Sequence, residues 1–196
     1  MNNTLDYYNS NTSSFVASTQ SVQMTEAWNR FTSKLAKSSL ILDFGCGSGR
    51  DTKYFLEHGY RVEAVDGSEK LCKVASKFAG VEVKRELFTE LSEVGKYDAI
   101  WACSSILHAS SEDLVLIIKK IWTALKEDGI FYTSFKYGSF EGERNGRYFT
   151  DFTEETFAAL LNRSADFEVI ESWVSGDVRH GRENEKWLNV ILKKRS

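Results

Sequence analysis

The chain has 196 residues, 42% of them apolar and 27% charged, the composition expected of one soluble globular domain with a full core. Its net charge of −3 gives no overall attraction to nucleic acid, and no apolar run reaches the length of a membrane span or the pattern of a secretory leader. The three cysteines (Cys46, Cys72 and Cys103) lack metal-ligand spacing and suit a reducing cytoplasm, so neither a disulfide frame nor a metal site is expected.

Residues 1–21 are rich in Asn, Ser and Thr and carry Tyr7, Tyr8 and Phe15. Two readings stand: a disordered tail, or a lid whose rings close over a ligand and exclude water. Met24, Ala27, Trp28, Phe31 and Leu35 recur at helical spacing, which predicts an N-terminal helix within residues 22–38. The apolar run 40–42 reads as a buried strand. It enters a turn with glycine at every second place (Gly45, Gly47, Gly49), followed by a helical segment at about 51–57. Such a turn lets main-chain N–H groups approach a ligand, with a helix N-terminus aimed at the same spot.

The spacing narrows the ligand. The dinucleotide pattern GxGxxG fails because Arg50 occupies its third glycine, and no Gly-Lys-Ser/Thr triplet makes a phosphate loop. A second strand at 61–65 ends at Asp66, 21 positions after Gly45. That is near the spacing at which a carboxylate accepts from ribose hydroxyls, the alternative being a turn aspartate before Gly67. Ser68 can cap the next helix, and a third strand at 81–84 leads to Glu86, Leu87 and Phe88. A fourth strand at 97–102 runs into Cys103, Ser104 and His108. Ser110 and Asp113 then open an amphipathic helix through Leu114, Ile117, Ile118, Ile121 and Leu125. After a turn at 125–129 comes a fifth strand at 130–135. A polar and aromatic stretch at 136–151 and a helix begun by Thr153 follow. The chain closes with strands at 167–174 and 187–192 that should pair antiparallel.

The run Asp43-x-Gly45-x-Gly47-x-Gly49 resembles motif I of the class I S-adenosylmethionine-dependent methyltransferases. A carboxylate beside the turn suits a ligand with a cationic sulfonium and no phosphate. The likeness spans residues 40–135, with the Tyr97-Asp98 pair opening strand four and Leu125-Lys126-Glu127-Asp128-Gly129 in place of a family turn, its proline missing. It extends to the single-domain members that include the tellurite-resistance type. The resemblance implies an α/β, Rossmann-like three-layer αβα sandwich. Its seven-stranded, mostly parallel sheet should have the order 3-2-1-4-5-7-6 and end in an antiparallel C-terminal hairpin. Residues 1–196 would form one domain: lid or tail 1–21, helix 22–38, core 39–196.

The resemblance also implies S-adenosylmethionine as cofactor and S-adenosylhomocysteine as product. Carried over by position, Asp43, Gly45, Cys46, Gly47 and Gly49 form the cradle, with Asp66 and Gly67 at the ribose. Arg50 would take the methionine carboxylate, and Glu86, Leu87 and Phe88 would surround the adenine. Cys103 would line the site, with Tyr8 and Phe15 closing it. His108 and Ser104 are the candidate acid/base or orienting groups, since histidine titrates near neutrality. Arg147, Tyr148 and Phe149 would roof an acceptor pocket. Arg179, Arg182 and Lys186 either bind an anionic acceptor or form a solvated loop. A chain with no proline lacks the Pro-containing motifs of amino-methylating and cytosine C5 enzymes. The expected activity is methyl transfer to a small molecule by in-line displacement. The alternatives are a tRNA-modifying methyltransferase and a non-catalytic cofactor-binding protein. The protein is expected to be cytoplasmic, and a monomer or weak homodimer.

Overall fold

Period-two alternation in the central strands sends side chains into two cores, one on each face of the sheet. In the computed structural model, which describes residues 2–179, 181–182 and 184–195, the strands β1 (Leu40–Phe44), β2 (Arg61–Asp66), β3 (Val83–Arg85), β4 (Tyr97–Ala102) and β5 (Leu125–Lys136) are parallel. Ile41, Trp101 and Tyr132 face one side, where they pack with Trp28, Phe31 and Phe55; the Trp101 and Tyr132 rings stack at 3.9 Å. Leu42, Ile100 and Phe131 face the other side, with Leu114, Ile117, Ile118 and Leu160. Helices α3 (Thr25–Thr32) and α4 (Arg50–Glu57) cover the first face, and α6 (Ser111–Ala124) and α7 (Glu154–Ser164) the second. Helix α5 (Glu69–Ala79) links β2 to β3.

A hairpin, β6 (Glu141–Arg144) and β7 (Arg147–Thr150), fills the polar stretch after β5. The chain ends in β8 (Phe167–Gly176) and β9 (Lys186–Lys194), antiparallel to each other, with β9 antiparallel to β5. The sheet order is β3-β2-β1-β4-β5-β9-β8. Counting only the strands of this sheet, that is the order 3-2-1-4-5-7-6 expected above. The topology reverses between β1 and β4, so a crevice opens beyond their carboxyl ends, where α/β sheets bind ligands.

Four local expectations change. The helix within 22–38 is confined to Thr25–Thr32. The tail reading of the N-terminal arm gives way to two helices, α1 (Asn2–Ser10) and α2 (Thr12–Thr19), which cross the crevice. The turn at 125–129 lies within β5, because Leu125 still pairs with Tyr97. The register then breaks before Ile130, and Asp128 takes a left-handed φ of 62°. The hairpin at 141–150 carried no period-two apolar signal. Among the described residues, no helix is long and apolar enough to cross a membrane.

Candidate functional site

The bend after β1 is held open by its own backbone. The N–H groups of Gly45 and Cys46 both donate to the Val65 carbonyl, at 2.9 and 3.0 Å, anchoring the bend to the end of β2. At Gly47 the backbone turns left-handed (φ 56°), and its N–H donates to Asp66 Oδ2 at 2.9 Å. Among the described residues only the Phe15 ring from α2 stands over it, 3.2 Å from where a Cβ would lie. Gly49 caps α4 and packs on Ala75, away from the cavity.

Two expected cradle residues act differently. Asp43 does not line the cavity: strand alternation turns it toward α4, where it accepts from the Thr52 hydroxyl at 2.5 Å. Burial and the neighbouring charge of Asp51 push its carboxyl well above the usual range. Asp43 thus supports the bend from behind. Arg50 lines the cavity, but its Nε and Nη2 fork onto Asp51 at 2.8 Å each. Asp51 also accepts the indole N–H groups of Trp28 and Trp101, at 2.9 Å each. Burial opposes its charge, but Arg50 and these donors offset that and hold the carboxyl below its ordinary range. Asp51 thus occupies the Nε–Nη2 edge of Arg50, and a ligand carboxylate would have to meet the guanidinium from its Nη1 side.

The cavity, about 210 Å³, runs from the bend across the ends of β2, β4 and β5. At one end stands Asp66, which accepts from Gly47 N and from Ser68 N at 2.8 Å; burial raises its carboxyl and these two donors restrain the rise. Glu86, Leu87 and Phe88 follow along the wall. Glu86 Oε1 is buried without a hydrogen-bond partner among the described residues, and burial followed by Glu93 and Glu90 raises its carboxyl. Cys46, Gly67 and Cys103 also line the space, the Cys103 thiol being pushed up to about 11 by burial and by Asp51. Ser104, with φ 51°, donates its N–H to Ser134 Oγ at 2.9 Å.

The arm roofs this cavity. Leu5 presses on Gly67, the Ser68 hydroxyl donates to Asn9 at 2.7 Å, and Gln20 donates to the Ser48 carbonyl at 3.0 Å. Tyr8 meets His108: its hydroxyl lies 2.8 Å from Nε2, while Nδ1 lies 2.6 Å from the Tyr148 carbonyl. A carbonyl only accepts, so Nδ1 carries the hydrogen. In the neutral ring Nε2 then accepts from Tyr8. Burial pulls His108 down to about 4, with Arg147 adding to the effect and the Tyr148 contact opposing it.

This has a measurable sign. The ring binds its proton near pH 6.5 in the unfolded chain and only near 4 in the fold, so stability falls as pH drops through that window. The loss reaches about 3 kcal/mol. His108→Gln should flatten the decline of melting temperature across this window in calorimetry. Parallel slopes for the two proteins would show that His108 does not titrate with folding.

Beyond His108 the wall is basic and apolar. Arg147 and Phe149 line it, as do Arg179 and Arg182, but Lys186 does not. Tyr148 is a correction: strand alternation in β7 sends its hydroxyl outward to Glu141, at 2.9 Å, so only its backbone serves the site. Sequence reasoning missed Asp51, Ser134, Asp177 and Asn189. Asp51 alone had a signal, since two tryptophans on buried elements need acceptors for their indole N–H groups. Among the described residues, no group of three or more His, Cys, Asp or Glu side chains converges to hold a metal.

A family model described as a methyltransferase domain matches residues 41–129. A protein of Geobacillus sp. (strain WCH70) that carries a provisional methyltransferase name is 31% identical over 54% of this chain and 48% of its own length. The chain spans about half the length of the curated relatives it matches. Among solved structures, the 1,6-didemethyltoxoflavin N1-methyltransferase of Burkholderia thailandensis, crystallised with 1,6-didemethyltoxoflavin and S-adenosylhomocysteine, is 25% identical. Its TM-score is 0.74, covering 97% of this chain and 90% of that one. The cyclase SpnF reaches a TM-score of 0.75 at 15% identity, covering 97% and 95%, a likeness of fold alone.

Proposed function

We propose that this chain, whose fold and central segment are those of the class I S-adenosylmethionine-dependent methyltransferases, transfers a methyl group from that cofactor to a small-molecule acceptor. The observation that carries the proposal is the chemistry of the crevice. Its bend presents glycine backbone, and the acids beside it, Asp66 and Glu86, include a buried oxygen with no partner. Arg50, at the helix start, is already neutralised by Asp51. Such walls repel a pyrophosphate and suit a cationic nucleoside.

In this reading Asp66 accepts from the ribose hydroxyls, and Glu86 accepts from the adenine amino group, with Leu87 and Phe88 against the ring. Tyr8 and Phe15, carried by α1 and α2, close the roof and exclude water. When bound, the cofactor supplies an activated sulfonium methyl. The chain's own task is then alignment, worth on the order of 7–11 kcal/mol in a two-body reaction. Ser104 and His108 border the acceptor side. His108, kept neutral and engaged by Tyr8, orients rather than ionises at neutral pH.

Titration calorimetry tests the reading. S-adenosylmethionine and S-adenosylhomocysteine should bind in the micromolar range, and NAD not at all. Asp66→Ala should weaken both cofactor affinities about 10- to 100-fold, the worth of hydrogen bonds to a charged group. NAD binding, or an unchanged affinity in the variant, would overturn the assignment.

A further inference from the structure

We infer that the methyl acceptor is a carboxylate with an apolar, ring-sized body, received by the guanidinium of Arg147. The inference rests on the methyl-transfer reading and adds the substrate class to it.

Five basic side chains line the cavity, and four already have carboxylate partners. Arg50 is on Asp51, Arg179 forks onto Asp177, and Lys136 and Arg182 share Glu185. Arg147 is the exception: among the described residues no carboxylate lies within ion-pair distance of it, and its Nε is buried without a hydrogen-bond partner. Arg147 is half-buried, and a charged group with a buried N–H that has no acceptor is costly.

The surroundings define what would complete it. Aromatic rings stand over the guanidinium: Tyr7 at 4.4 Å, Phe149 at 5.1 Å and Tyr8 at 5.9 Å from its central carbon. Rings satisfy the faces of the ion and leave its edge, whose in-plane donors match a carboxylate. The neighbouring His108 is neutral, so one positive charge faces the ligand there, which fits a monoanion. Phe149 and Leu107 supply apolar wall for the rest of the acceptor. Arg147 comes from β7 and packs with Tyr8 and Phe149, both in contact with His108, whereas the bend that would hold the cofactor's methionine end has Arg50 beside it. Arg50 is thus held by Asp51 beside the bend, whereas Arg147 stands on the His108 side of the cavity.

The test titrates benzoate and its neutral isostere benzamide into the protein with and without saturating S-adenosylhomocysteine. Benzoate should bind the loaded protein about tenfold or more tightly than benzamide. Arg147→Gln should remove that preference and Arg147→Lys retain part of it, with S-adenosylhomocysteine affinity held within about twofold in both. Equal binding of the two probes, no binding of benzoate, or a preference that survives Arg147→Gln would overturn the inference. So would a loss of S-adenosylhomocysteine affinity of about tenfold in the variant, which would give the guanidinium to the cofactor. Failure of the wild-type protein to bind S-adenosylhomocysteine would instead sink the cofactor reading, and the probe preference without it still reports on Arg147.

Discussion

Asp51→Ala should lower the unfolding free energy by about 3–5 kcal/mol, read as a shifted denaturation midpoint at neutral pH. The carboxylate is buried and takes four hydrogen bonds, two from Arg50 and one each from Trp28 and Trp101. Removing it leaves a guanidinium and two indole N–H groups without their acceptor at the buried edge of the cavity. Asp51→Asn keeps the volume but can accept only at one oxygen, so it should fall between the two. Because the fold depresses this carboxyl, its stabilisation is present above the unfolded value near 4 and is lost as pH falls through the lower folded value. The gap between wild type and Asp51→Ala should therefore narrow in acid. A loss below about 1 kcal/mol at neutral pH would show that the network is solvent-compensated.

Gly45→Ala should cost about 2–5 kcal/mol and abolish S-adenosylhomocysteine binding, because two penalties meet at one atom. The residue sits at φ 86°, and an added Cβ would lie 2.5 Å from Ser105 Cβ. Ser105 has little freedom to retreat, since its hydroxyl donates to the Phe44 carbonyl at 2.7 Å. Gly59 provides the control: it has the same φ of 86°, with nothing among the described residues within 4 Å of its Cβ position. Gly59→Ala should therefore pay the backbone penalty alone, about 1–2 kcal/mol. Equal losses at the two sites, measured by denaturant melts, would mean that the bend yields without disturbing strand β4.

Most of the fold was legible because its signals are local. The helices after Ser68, Ser110 and Thr153 begin where those residues stand, each side chain accepting from the backbone three residues on. The apolar runs of β1, β4 and β5 and the left-handed turn between Asp43 and Arg50 follow from neighbours in sequence. The hairpin at 141–150 and the early start of β5 were not legible. Each depends on a pairing partner that no short window contains.

The sequence by itself determined most strands and helices, the position of the glycine bend and the acid that follows β2, since periodicity and turn chemistry act within a few residues. The sheet order came only from the family resemblance. Tertiary structure alone decided the partners. It brought tryptophans from α3 and β4 onto Asp51, turned Asp43 and Tyr148 out of the cavity, and brought Tyr8 100 residues along the chain to His108. The reason is physical: a charged or polar side chain takes the strongest partner within reach, and reach is set by packing between distant elements.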